Sequence, residues 1–306
     1  MPYLLLLVYL IPRVCSALTT KHNSTAYSRL GVPGAFLYSI LTGIYSLFFF
    51  WALNGFKLYI NSAVSLYAMV YGACVVLSLS VTVFMYNHGS MALINFISGT
   101  LSLTASAVFG ALLLGEKITP ELILRISLMM LCVLTVFIGT KNSNIDEEKK
   151  SLSPLTFILP AFAAIIGLVV TFLIKYYTVD PNVTDTNSLF FMTNVFCIAY
   201  ALPILFVLTV IERGKGVDIS DLLKACVDKR SLGAFATTGL GAVQTVITAL
   251  LITSMDVATY TPVISAMGFL AMAIVTPLVR ERLDKSKIIA TVIALLSLFL
   301  PSLIFQ

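Results

Sequence analysis

Ten stretches of roughly 18 to 26 residues are almost continuously apolar, and each ends at a polar or turn-forming break. In hydrocarbon every backbone N–H and C=O must be satisfied within its own segment or around a closed barrel. Barrel strands would alternate apolar and polar residues over about ten positions. Continuous runs of this length read as membrane-spanning helices instead. Composition agrees: 59% of the 306 residues are hydrophobic and 11% charged, where a soluble domain carries about 45–50% and about 25%. Such a chain cannot build a water-facing shell, which excludes a soluble enzyme, a disordered tail and a nucleic-acid binder. At about 20 residues per span, ten spans leave only short loops.

The predicted spans are Tyr3 to Thr20, Pro33 to Leu53, Ser62 to Tyr86, Met91 to Leu114, Pro120 to Thr140, Leu155 to Thr178, Ser188 to Ile211, Leu232 to Thr253, Ala258 to Val279 and Ser286 to Phe305. The breaks include Lys21 to Arg29, Lys141 to Ser153 and Glu212 to Ser231. No Lys or Arg precedes the first run, so span one is read as a retained helix rather than a cleaved signal segment. Cys15, Cys74, Cys132 and Cys197 fall inside apolar runs and Cys226 in a polar segment, so all five are expected as free thiols.

A long-range repeat runs through these spans. Span four exits through Gly115-Glu116-Lys117-Ile118-Thr119 into an apolar helix, and span nine exits through Arg280-Glu281-Arg282-Leu283 into another. Span one reaches Lys21 before a polar segment, and span six reaches Lys175 likewise. Each half then reads as one five-helix unit, 1–140 and 155–306, joined by a polar linker at 141–154. Because five is odd, the second unit enters the membrane from the opposite face, which makes an inverted repeat. These residues and this arrangement resemble the drug/metabolite transporter superfamily, in its EamA-like branch. Arg280 stands where that pattern usually has glycine. The resemblance implies ten spans, no nucleotide-hydrolysing domain, uptake or export of small metabolites, and a cavity lined by spans three, four, eight and nine.

Orientation is read from Lys and Arg in the loops. Of 19 such residues, 14 flank the face that follows spans one, three, five, seven and nine, against Lys57, Lys117 and Lys175 on the other; Arg13 and Arg125 lie within spans. This bias places both termini outside, while the resemblance implies cytoplasmic termini.

Ionisable groups at membrane depth are costly and so mark candidate sites. Arg13, beside Pro12, either meets an anionic group of a substrate or snorkels to a surface. Lys21 and Lys175 are expected to complement helix C-termini, and Glu116 and Glu281 the N-terminal ends of spans five and ten. Polar residues at helical spacing must line a cavity or bond a neighbouring helix. On this basis Asn95, Ser98 and Ser102 in span four, Gln244, Thr245 and Thr248 in span eight, Tyr67 and Tyr71 in span three, and Tyr260 and Ser265 in span nine are candidate pathway residues. His22 and His88 stand alone, no metal constellation or phosphate-binding glycine loop occurs, and no cofactor is expected. The sequons Asn23-Ser24-Thr25 and Asn182-Val183-Thr184 fall on opposite faces of the predicted topology.

The expected protein is an all-helical, multi-pass transporter of the plasma membrane, moving a small neutral or zwitterionic metabolite, such as an amino acid, by alternating access. Its partners are that substrate and the lipid bilayer, and the chain is not expected to be an enzyme. A nucleotide-sugar or sugar-phosphate exchanger is the alternative, followed by a lipid-modifying membrane enzyme. Monomer and homodimer stay open.

Overall fold

The computed structural model describes residues 2–28, 30–88, 97–99, 101–102, 104–105, 108–110, 112, 115, 117–141, 155–183, 185–211, 219–227, 229–254, 257–278 and 285–304. Helices are α1 Pro2–Ser28, α2 Gly31–Leu53, α3 Ser62–His88, α4 Pro120–Lys141, α5 Leu155–Val179, α6 Thr186–Ile211, α7 Ile219–Val227, α8 Lys229–Ser254, α9 Val257–Leu278 and α10 Lys285–Ile304. The described residues of span four are also helical between 97 and 112, and no strand occurs among the described residues. Among the described residues six helices are long and apolar enough to cross a bilayer: Gly31–Leu53, Ser62–Val83, Pro120–Gly139, Ile158–Val179, Thr186–Ile211 and Ser231–Ser254. Val263–Leu278 is a shorter apolar helix. Large apolar side chains such as Leu66, Ile123, Leu134, Phe206 and Val207 are exposed along these helices. Lipid is the solvent that such a surface matches, so the chain is a multi-pass helical membrane protein.

Two helical segments depart from the sequence reading. The expected break at Lys21 to Arg29 is helical as far as Ser28. Its polar residues are held by tertiary partners: Asn23 is buried and its Nδ2 donates to Thr237 Oγ1 at 3.0 Å. Tyr27 is buried against Tyr38, ring centroids 5.2 Å apart. Lys21 therefore lies about two turns before the helix end, and Lys175 about one turn before Val179, so neither occupies the last turn as expected. Within the expected break at Glu212 to Ser231 lies α7, an amphipathic helix whose Leu222 and Ala225 join Tyr38 and Ala35 in one core cluster.

Helix starts follow capping chemistry. Thr119 Oγ1 accepts from the Leu122 N–H at 3.2 Å, with Pro120 in the first turn of α4. Asn61 Oδ1 accepts from Val64 N at 2.8 Å to start α3. At α6, Asp185 accepts from Asn187 N at 3.1 Å, Ser188 N at 2.9 Å and Ser188 Oγ at 2.7 Å. Glu116 and Glu281, the carboxylates expected near such starts, lie outside the described residues.

The chain packs as two compact units that do not coincide with its sequence halves. One is built from Met1–Ala17, His88–Thr171 and Leu251–Gln306, the other from Leu18–Asn87 and Phe172–Leu250. In the second unit α2 and α6 run antiparallel, joined by Phe50 against Phe190 at 5.1 Å and by Cys197 Sγ against the Ser39 carbonyl at 3.9 Å. In the first unit α4 and α10 run antiparallel. Arg125 Nη1 donates to the Ser297 carbonyl at 3.0 Å, and Cys132 Sγ approaches the Ala290 carbonyl at 3.3 Å. Met129, Cys132, Val136, Ala290, Ala294, Ile97 and Phe269 form the buried core there.

Candidate functional site

The first unit contains a pocket of about 180 Å³. Its lining comes from four stretches: Arg13 on α1, Ser98, Gly99 and Ser102 in span four, Ala163, Ala164 and Gly167 on α5, and Ile264, Ser265, Gly268 and Phe269 on α9. Small side chains create the space. Gly99 lets span four approach α9, because a Cβ there would stand 2.7 Å from the Phe269 ring. Ser265 Oγ donates to the Gly99 carbonyl at 3.4 Å, a long bond across the same crossing. Phe269, 1% exposed, belongs to the hydrophobic core and closes one wall. At Gly167 a Cβ would meet nothing within 4 Å, so this glycine leaves room on the pocket side without being demanded by packing.

Arg13 supplies the only charge among the described lining residues. Its side chain is half-buried, and its Nε is buried with no hydrogen-bond partner among the described residues. A buried guanidinium N–H without an acceptor is costly. Its Nη2 lies 3.8 Å from where a Gly268 Cβ would stand, so the glycine leaves space beside the guanidinium. The site offers one cation, three hydroxyls and several surfaces without bulky side chains. This arrangement suits binding and orientation of a small polar molecule. Its described lining residues include no carboxylate, imidazole or thiol to act as acid, base or nucleophile. Elsewhere, no three His, Cys, Asp or Glu among the described residues come together in a way that could hold a metal.

The other expected pathway residues are placed differently. Tyr260 is buried on α9 in the first unit but does not line the pocket. Tyr67 and Tyr71 belong to the second unit and pack against its helices. The Tyr67 hydroxyl donates to Asp180 Oδ2 at 3.3 Å and its ring meets Tyr177 edge-on at 5.4 Å. Tyr71, buried, meets Phe190 edge-on at 6.1 Å. Gln244 and Thr248 lie half-buried on α8 in the same unit, and Thr245 Oγ1 returns a hydrogen bond to the Gly241 carbonyl at 2.8 Å. Asn95 lies outside the described residues. The pocket thus unites Arg13, Ser98, Ser102 and Ser265. Sequence reasoning missed Ala163, Ala164, Gly167 and Gly268, whose contribution is the absence of bulk. The available signal was that Gly167 and Gly268 sit inside otherwise apolar spans, where an isolated glycine points to close approach or open space.

Arg125 is the second intramembrane cation and has a structural partner. Its Nη2 donates to Glu121 Oε1 at 2.6 Å, one turn earlier on α4. Of the two sequons, the Asn23 side chain is buried and spent on Thr237, while Asn182 is exposed in the turn between α5 and α6.

No family model matches the chain, and no curated protein matches it in sequence. Solved structures match its fold. One, described as "Crystal structure of protein", shares 16% identity over 97% of this chain and 99% of its own, with a TM-score of 0.56. At that identity the likeness concerns the fold alone.

Proposed function

We propose that the protein is a secondary-type transporter of the plasma membrane, carrying a small, low-charge metabolite of amino-acid size by alternating access. It is not an enzyme in this reading, and it is a ten-span inverted repeat of the EamA-like kind. The observation that carries the proposal is the pocket's lining, which draws on spans one and six and on spans four and nine. In the repeat these are two equivalent pairs, so each half contributes the same two walls. Arg13 and Gly167 face the pocket from positions 154 apart (167 minus 13), the same separation as Lys21 and Lys175 (175 minus 21). The two compact units support the same symmetry: α1 divides after Ala17 and α5 after Thr171, again 154 apart (171 minus 17). The antiparallel pairs α2 with α6 and α4 with α10 join spans two and seven and spans five and ten, each a helix with its own counterpart. Two similar halves of opposite orientation can exchange conformations, which opens a shared site to each side in turn.

The pocket's size and charge weigh against the nucleotide-sugar and sugar-phosphate readings. About 180 Å³ is below the roughly 300–1,000 Å³ of sites that hold drug-sized ligands. One guanidinium is also too little for a multiply charged phosphate ester. Reconstitution into liposomes tests the proposal: saturable counterflow of a labelled amino-acid-sized metabolite is expected, and no flux across a broad metabolite panel would reject it.

A further inference from the structure

We infer that the pocket's occupant is a small monocarboxylate whose carboxylate is held by Arg13, with the hydroxyls of Ser98, Ser102 and Ser265 serving the remainder of the polar head. The inference rests on the transport reading for the meaning of the pocket, but not for its chemistry.

Three features of the site select this class. First, Arg13 has no counter-charge among the described lining residues, none of which is acidic, and its buried Nε lacks an acceptor among the described residues. A planar guanidinium presents a fork that a carboxylate matches with two parallel hydrogen bonds. Such a ligand would satisfy the donor and neutralise the pocket in one step. Second, a single positive charge balances a single negative one. A phosphate monoester near neutral pH carries up to two and would enter with charge left over at membrane depth. Third, an α-ammonium on the same ligand would lie beside Arg13, with no carboxylate among the described lining residues to receive it. The site therefore discriminates against a zwitterion as well as against a neutral amide. The rest of the pocket suits a compact apolar or hydroxylated body, since Ala163, Ala164, Gly167 and Gly268 leave room and Phe269 and Ile264 supply apolar contact.

The test is binding to the purified full chain in detergent, using probes of one skeleton: 2-hydroxy-4-methylpentanoate, its primary amide and leucine, together with inorganic phosphate. The carboxylate is expected to bind at least tenfold more tightly than the amide or leucine, and phosphate not to compete. Arg13→Gln is expected to weaken the carboxylate at least tenfold while leaving the amide's weak binding unchanged. Gly167→Leu fills the pocket where a Cβ meets no neighbour, so it is expected to remain folded and to lose the carboxylate, a control that does not depend on Arg13. Equal binding of carboxylate and amide, unchanged carboxylate binding in Arg13→Gln, or no binding of any probe would overturn the inference. Preferred binding of leucine would overturn the exclusion of zwitterions. Flux is scored separately in liposomes. A carboxylate that binds through Arg13 while neither it nor any other metabolite of the panel is carried sinks the transport reading alone, whereas saturable flux of other metabolites without carboxylate binding sinks only this inference.

Discussion

Two arginines lie within the predicted spans, and their surroundings divide them. Arg125 donates to Glu121 and to the Ser297 carbonyl, so its charge is answered within α4 and α10. Arg13 has a pocket beside it instead. Removing one partner of a buried pair is more harmful than replacing both with apolar groups. Glu121 is 37% exposed, which reduces the expected cost. Glu121→Ala is therefore expected to destabilise the folded protein by about 1–2 kcal/mol, measured as a lower melting temperature in detergent. Glu121→Ala with Arg125→Met should recover most of that loss; a double variant less stable than the single would contradict this account. Cysteine reactivity gives a second test. Burial pushes the Cys226 thiol on α7 above its ordinary pKa, so its thiolate is scarcer at neutral pH than in a free cysteine. Alkylation of Cys226 should be slow at neutral pH and accelerate as pH rises, to higher pH than for a small free thiol. A rate that levels off at or below the pH of the free thiol would show that burial does not govern it.

The helices were legible wherever an apolar run was bounded by turn chemistry. The expected end of span two at Leu53 and the starts of spans three and five at Ser62 and Pro120 coincide with those of α2, α3 and α4. The misses share one cause: polar residues that the sequence presents as loop are held by tertiary contacts. Asn23 reaches Thr237, Tyr27 reaches Tyr38, and the apolar side of α7 reaches the Tyr38 cluster. Asn23 and α7 find partners about 200 residues or more away in the chain, and Tyr27 finds one on the next helix, so local pattern could not supply them. The same applies to Tyr67 and Tyr71, whose ring partners Tyr177 and Phe190 lie more than 100 residues away in the sequence. The start of α6 illustrates what local chemistry does determine. Asp185 takes two backbone N–H groups of the first turn and also accepts from Asn54 Nδ2 at 2.7 Å, tying the turn after α2 to α6. Asp185→Ala is expected to cost about 1–2 kcal/mol in detergent denaturation. Asp185→Asn should cost less, because an amide oxygen still caps. Equal losses in both would show that charge, not capping geometry, is what Asp185 contributes.

At the level of the whole molecule, sequence halves and compact units are different partitions of the chain. Each unit takes helices from both halves, and α1 and α5 each contribute to both units. That division was not visible in the sequence, because the repeat motifs mark which segments correspond and say nothing of which pack together. Of the candidate site, Arg13 was legible through the cost of a charge at depth, and Ser98, Ser102 and Ser265 through polar spacing. The glycines and alanines that make the space carry no such mark. The proposed alternation has a requirement that binding alone does not test: one and the same pocket position must be reachable from each side of the membrane in turn. A chain with Cys15, Cys74, Cys132, Cys197 and Cys226 replaced by Ser or Ala and a cysteine introduced by Gly167→Cys provides the probe. The glycine has no neighbour within 4 Å of a Cβ, so the substitution is expected to be tolerated. In sealed vesicles a membrane-impermeant thiol reagent should modify this position when applied to either face, and saturating transported substrate should slow both reactions. Modification from one face only, under every condition including substrate on the opposite side, would be incompatible with alternating access and would leave the pocket as a binding site open to one compartment.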